Sequence, residues 1–169
     1  MAGTRTSFEG HDCGFAQAVE AIGDQWCLLI LRNFFMGMSR FEDFAAHLPI
    51  STKVLADRLK RLEGHGLIKA APDPADRRGK IYQLTAKGQD LGALVASFTQ
   101  WGEKWVPKAE GPRTELFDLR TGDPVVIAPV STATGRTLPV EKVGQRTGPG
   151  GSDVRDRLDA IIEKRKSAQ

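Results

Sequence analysis

Residues 51–69 read STKVLADRLKRLEGHGLIK, and the fold turns on this stretch. Leu55, Leu59 and Leu62 recur at spacings of four and three, which lays one apolar stripe along a helix. Thr52, Lys53, Asp57, Lys60 and Arg61 fall off that stripe. Ser51 is placed to cap the helix, because its hydroxyl accepts a first-turn N–H. Gly64 and Gly66 flank His65 and end it. Leu67-Ile68-Lys69-Ala70-Ala71 then reads as a strand. Upstream, Phe41, Phe44, Ala45 and Leu48 form a shorter amphipathic helix closed by Pro49. Two short helices joined by Leu48-Pro49-Ile50 match a helix-turn-helix. Its second helix, Ser51 to Glu63, is the one expected in the major groove of a duplex.

Working outward, Pro72 to Gly79 is a charged, turn-rich loop and Ile81-Tyr82-Gln83-Leu84 a returning strand, so the pair predicts a hairpin with a long exposed tip. Thr85 opens a long helix on which Leu91, Leu94, Val95, Phe98, Trp101 and Trp105 repeat at three and four residues, until Pro107 stops it. On the other side, Phe15, Val19 and Ile22 lie on one helical stripe that Gly23 interrupts. Asp24 caps a second helix through Trp26, Leu29, Ile30 and Phe34, ended by Gly37. The order helix, helix, strand, charged loop, strand, helix predicts a winged helix-turn-helix of α+β class, mostly α, with dimerisation helices around it.

After Lys108 the composition shifts to Gly, Pro, Thr and Val. Short strand-like pieces at Glu115–Leu119, Pro124–Ile127 and Leu138–Val143 predict a small C-terminal β appendage. Thr121-Gly122 and Thr134-Gly135 stand thirteen residues apart and suggest two hairpins. Gly148-Pro149-Gly150-Gly151 reads as a linker, and Val154 to Lys166 as a short charged helix. The expected division is a flexible N-terminus at 1–12, a winged domain at 13–107, the β-rich appendage at 108–151, and a short helix or tail at 152–169.

The chain has 169 residues, 40% hydrophobic and 27% charged, an ordinary globular balance. No run of about 18 apolar residues appears, and Met1 to Glu9 lacks a signal-type apolar core, which predicts a cytoplasmic protein off the membrane. Cys13 and Cys27 are then reduced by default. With two cysteines and three histidines in no metal-like cluster, neither metal nor cofactor is expected. Paired-carboxylate, phosphate-loop and nucleophile-elbow motifs are missing, so an enzyme is not expected.

The DNA-binding candidates are Ser51, Thr52, Lys53, Arg58, Lys60, Arg77, Arg78 and Lys80. Thr52 and Lys53 stand at the helix start, where base edges are met, while Arg58 and Lys60 lie farther along, where phosphate contact is expected. Ser51 and the helix N-terminus can donate to a phosphate. Arg77 and Arg78 at the hairpin tip can enter a narrow, negative minor groove, with Lys80 at the wing base. From Ser39 to Lys80 nine Lys/Arg stand against six Asp/Glu, a small excess that implies few phosphate contacts per chain and favours two linked copies.

Cys13, Gly23-Asp24-Gln25-Trp26, Leu28 to Arg32, Phe41-Glu42-Asp43-Phe44, Ile50-Ser51, Val54-Leu55, Arg58-Leu59, Leu62-Glu63, Gly66-Leu67-Ile68, Tyr82-Gln83-Leu84-Thr85 and Lys87-Gly88 follow in this order. Over residues 12 to 106 they resemble the HxlR family of winged-helix regulators, relatives of the MarR type. The resemblance implies a homodimer with a recognition helix at Ser51 to Glu63 and a wing at Pro72 to Gly79. The expected function is a sequence-specific DNA-binding transcription regulator, with repression the expected mode and a small molecule or oxidant as effector. The competing expectation is a winged-helix module for protein interaction only. Residues 113–151 resemble an appendage of longer family members that in some is a cysteine-bearing zinc ribbon. Here Thr-Gly pairs occupy the places of the knuckle Cys-Gly, which implies a metal-free version.

In part of that family the cysteine at the place of Cys13 senses oxidants. A helix N-terminus favours its thiolate, Asp12 opposes it, and plain packing at a dimer seam is the alternative. Cys27, on an apolar helix, is expected to be inert. Phe15, Val19, Leu94, Phe98, Trp101 and Trp105 are the expected dimer interface. Phe34-Phe35-Met36 are expected either in the core or lining an effector pocket.

Overall fold

The computed structural model describes residues 7–150 together with 160, 161, 163 and 164, the side chains of Arg77 and Arg78 excepted. Two compact units emerge. One spans Ala21–Ile127, and the other joins the N-terminal segment through Glu20 to the segment from Ala128 onward.

Helix α1 spans Gly14–Ile22, and α2, Gln25–Phe35, follows across Gly23. Asp24 caps α2 as its sequence position predicts, its Oδ1 accepting the N–H groups of Trp26 at 3.0 Å and Cys27 at 3.2 Å. Helix α3 covers Phe41–His47 and α4 Thr52–Gly64, with Ser51 Oγ accepting the Val54 N–H at 3.3 Å. The core forms where the apolar stripes of α2 and α4 meet. Cys27, Ile30, Leu31, Phe44, Leu55, Leu59 and Leu62 are almost or wholly sealed from water. Each buried leucine contributes roughly 1.5–3 kcal/mol of transfer free energy, enough to fix the helix faces. The Phe34 and Phe44 rings pack at 4.8 Å between centroids and join α2 to α3.

The hairpin is more regular than its composition suggests. Strands β1 (Ile68–Asp73) and β2 (Asp76–Leu84) pair antiparallel, with Ile68 opposite Leu84 and Pro72 opposite Lys80. The long loop expected at Pro72–Gly79 shrinks to a Pro74-Ala75 turn. Asp73 pairs directly with Asp76, and residues 77–79 form a bulge on β2. The cause is Asp73, whose Oδ1 accepts the Ala75 N–H at 2.8 Å and closes the turn. Arg40, just before α3, binds the same carboxylate twice, Nε to Oδ2 at 2.6 Å and an NH2 donor to Oδ1 at 3.1 Å. Arg40 also bridges Ile81, and Ser39 O accepts the Tyr82 N–H at 2.7 Å, so the wing is fastened to the segment before α3.

The long helix expected from Thr85 is interrupted. A short turn, α5 (Ala86–Gln89), precedes α6 (Gly92–Trp105), with Asp90 and Leu91 between them. Thr85 caps α5 and donates its hydroxyl to Gly66 O at 2.7 Å, pressing the turn onto the start of the wing. Gly88 makes that approach possible, since a Cβ there would lie 2.0 Å from the Leu67 carbonyl oxygen.

No β appendage forms beyond α6 among the described residues. The strand pieces expected at Glu115–Leu119, Pro124–Ile127 and Leu138–Val143 reduce to single bridges, Phe117 with Pro124 and Val130 with Thr137, and Val140–Lys142 is a 3-10 turn. Pro124, Pro129 and Pro139 remove donors that a longer ladder needs. The thirteen-residue repeat is nonetheless present as a hydrogen-bond pattern. Gly122 N–H to Asp118 O and Asp118 N–H to Asp123 O recur as Gly135 to Ser131 and Ser131 to Arg136. Side-chain oxygens of Thr121 and Thr134 accept the N–H two residues on. The expected helix at Val154–Lys166 lies outside the described residues, except that 160, 161, 163 and 164 are helical.

The Arg40–Asp73 pair makes the wing pH-sensitive. Hydrogen bonds from Arg40 and then from Ala75 N–H hold the Asp73 carboxyl at about 2, below its ordinary 3.8. The folded state therefore keeps this charge where the unfolded chain begins to lose it. The contribution is complete above 3.8 and disappears as pH falls through about 2. Thermal melts of the wild type and Asp73→Asn are expected to differ near neutrality and to converge across that acid window. A gap that stays constant down to about pH 2 would remove the pair from the wing's stability.

Candidate nucleic-acid interface

The turn between α3 and α4 is short and bonded. Leu48 N–H meets Phe44 O at 2.9 Å and Ile50 N–H meets Leu48 O at 2.8 Å. Leu48 itself is buried, so the turn is held from below. With Leu55, Leu59 and Leu62 facing the core, the opposite side of α4 is open to solvent at Thr52, Lys53, Ala56, Asp57, Lys60 and Glu63. At 100° per residue, Lys53, Asp57 and Lys60 share an arc of roughly 60°. This stripe is basic at both ends and acidic in its middle. A lysine donates to guanine or phosphate, and a carboxylate accepts from a cytosine amine. Ser51 is exposed at the helix start, where the N-terminal amides and the positive end of the helix dipole favour an anion.

Arg58 does not join this stripe. Its Nε donates to Asp24 Oδ1 at 2.8 Å, with the two side chains 30% and 20% exposed. Burial works to raise the Asp24 pKa, but the Arg58 hydrogen bond and the Cys27 N–H outweigh it, and the carboxyl sits below its ordinary value. The Asp24 hydrogen bond correspondingly raises Arg58. Lys80 is exposed on β2 opposite Pro72. Arg77 and Arg78 occupy the β2 bulge by their backbone; their side chains lie outside the described residues. Lys53, Lys60 and Lys80 form no ion pair with any described residue.

The expected dimer residues are accessible. Helix α6 buries none of its fourteen residues, and Phe98, Trp101 and Trp105 are 58%, 62% and 62% exposed. Leu94 and Phe15 are also exposed, and Val19 is half-buried. Between α2 and α6 lies an apolar cleft of about 390 Å³ lined by Gln25, Leu28, Leu29, Arg32, Val95, Phe98 and Thr99. Phe34, Phe35 and Met36 do not line it. Phe34 is buried and borders a second groove with Met38, Lys69 and Tyr82, while Phe35 and Met36 are exposed. Cys13 is exposed just ahead of α1, its carbonyl accepting the Gln17 N–H at 3.0 Å, and Cys27 is fully buried.

Two features escaped the sequence: the pairing of Asp24 with Arg58, and that of Asp73 with Arg40. The partners are 34 and 33 residues apart. A cap and a turn are local signals, but nothing local names a distant arginine. No group of side chains among the described residues forms a metal cluster, and no helix among them is long and apolar enough to cross a membrane.

Residues 21–110 match the family model of the HxlR-like helix-turn-helix. An uncharacterized HTH-type transcriptional regulator of Mycobacterium tuberculosis is 35% identical over 143 residues, covering 85% of this chain and 89% of the relative. Among solved structures, the transcription factor PA1607 superposes with a TM-score of 0.75 at 32% identity, covering 85% of this chain and 99% of that one. The redox regulator HypR in its oxidized form gives a TM-score of 0.50 at 26% identity, over 54% of this chain and 96% of its own. With its helix-turn-helix, its wing and these relatives, the chain belongs to the HxlR-like helix-turn-helix family of transcriptional regulators, DNA-binding proteins rather than enzymes.

Proposed function

We propose that this regulator is a sequence-specific repressor that grips duplex DNA as a homodimer, α4 in the major groove and the wing tip in the minor groove. The carrying observation is the exposed Lys53–Asp57–Lys60 stripe on the face of α4 opposite its buried leucines. Ser51, Thr52 and Lys53 stand at the end of the helix that meets base edges and phosphate in this mode. Lys60 and Lys80 serve the backbone, and Arg77 and Arg78 the minor groove. Fluorescence anisotropy with a random-sequence duplex at two salt concentrations tests the reading, because phosphate neutralisation makes affinity fall steeply with salt. Absence of binding at low salt would favour a module for protein contacts alone.

Lys53→Ala is expected to cost roughly 1–3 kcal/mol more on a selected operator than on random duplex. Replacing Arg77 and Arg78 together by alanine weakens both and flattens the salt dependence. An unchanged salt slope in that double variant would take the wing out of the interface.

The homodimer is supported by α6. A helix carrying Leu94, Phe98, Trp101 and Trp105 in the open exposes more apolar surface than a monomer ordinarily tolerates. Two such chains would set their recognition helices about 34 Å apart, one DNA turn. Phe98→Asp is expected to give a folded monomer in sedimentation velocity where the wild type sediments as a dimer. A wild-type monomer at micromolar concentration refutes the assembly.

A second reading, oxidant sensing through Cys13, is favoured by the contrast between the exposed Cys13 and the sealed Cys27. HypR, a redox regulator, is similar in fold. Mass spectrometry after brief iodoacetamide exposure is expected to find Cys13 alkylated and Cys27 intact. If Cys13→Ser protein still loses DNA affinity on oxidation, the sensor lies elsewhere.

A further inference from the structure

Among the cations of α4, Arg58 lies farthest around the helix from the exposed lysines. At 100° per residue it lies roughly 140° around the helix from Lys53, whereas Lys60 lies only about 20° away. Its side chain is 30% exposed, flanks the buried leucine stripe, and sets its Nε on Asp24. Asp24 Oδ1 is already the acceptor for the Trp26 and Cys27 N–H groups. One carboxylate oxygen thus joins the N-terminus of α2 to the middle of α4. Two first-turn amides and the helix dipole hold that carboxylate in place. The guanidinium is a planar fork whose bond weakens steeply when misaligned. Rotation of α4 about its axis, which its leucines alone would resist only by imperfect repacking, therefore breaks a directional bond as well.

We propose that Arg58 is a positioning residue of the recognition helix: locked on the Asp24 carboxylate, it fixes the angle at which Lys53 and Lys60 meet the groove, and it neutralises no phosphate. Asp24 is then a determinant of sequence specificity that never touches DNA. The inference rests on the reading of α4 as the groove-entering helix.

The two roles open to Arg58 predict opposite outcomes for one substitution. Asp24→Asn keeps a capping side-chain oxygen and removes the charge. Were Arg58 a phosphate ligand in competition with Asp24, this change would release it. Random-duplex binding would tighten and the salt slope would steepen by about two, one for each chain of the dimer. For a positioning residue the slope on random duplex stays as in the wild type. Discrimination instead falls: the ratio of affinities for a duplex selected from a random pool by the wild type and for the pool itself drops about tenfold, the equivalent of one mismatched base pair.

The experiment compares wild type, Asp24→Asn, Arg58→Ala, the double variant, and Lys60→Ala as the phosphate-contact control, each checked for folding by circular dichroism. Arg58→Ala and Asp24→Asn are expected to lose the same discrimination, and the double variant no more than either, since both break one bond. Lys60→Ala alone lowers the salt slope, by about two, one for each chain of the dimer. A wild type that binds no duplex overturns the DNA-binding reading itself. Wild-type binding combined with a shallower slope for Arg58→Ala, with additive losses in the double variant, or with tighter binding by Asp24→Asn overturns the positioning role alone. Should Arg58→Ala fail to fold, the direction of the Asp24→Asn change decides.

Discussion

Burial of Leu55, Leu59 and Leu62 is the constraint on which the rest of this molecule depends. Three leucines at spacings of four and three leave a helix one way to face. Once they lie against α2, the azimuth of every other residue on α4 follows. Lys53, Asp57 and Lys60 are turned outward by the same rotation that turns the leucines in. The exposed, charged face of α4 is thus the complement of the core.

Hydrophobic contact orients a helix loosely, and two carboxylates supply the finer adjustment. Asp24 and Asp73 are built alike. Each first serves its own neighbourhood, Asp24 by capping α2 and Asp73 by closing the wing turn. Each then binds an arginine more than thirty residues away, Arg58 on α4 or Arg40 before α3. Both carboxyls are held below their ordinary pKa by these partners. Local capping makes the carboxylate rigid, and the arginine transmits that rigidity to a second element. Helix α4 and the wing are each tethered to the scaffold by one such clamp.

Helix α6 follows a different rule. It has apolar side chains in number but no buried residue, so its sequence is satisfied only in part by its own chain. The apolar cleft it forms with α2 begins at Gln25, the residue after the clamp's Asp24. Packing against α6 and the setting of α4 are therefore connected through one short helix.

Much of this was written in the sequence. The stripes of α2, α3 and α4, the caps Asp24 and Ser51, and the order that defines a winged helix-turn-helix are local patterns, and periodicity exposes them. The wing was legible as a hairpin, but its tip was not. Pro72 to Gly79 carries the composition of a loop, and only Asp73, fixed by a residue 33 positions away, draws it into a two-residue turn and a bulge. The C-terminal segment shows the reverse error: its valines suggest strands, while its prolines and side-chain-closed turns stop each ladder after one rung. Charge alone grouped Arg58 with Lys60; the rotation of α4 sets the Arg58 Nε on Asp24, a pairing no local pattern announces. The sequence by itself determined which faces of the helices are apolar, because that depends on spacing along one chain. The tertiary structure decided which charges remain free, because an ion pair depends on what another part of the chain brings within about 3 Å.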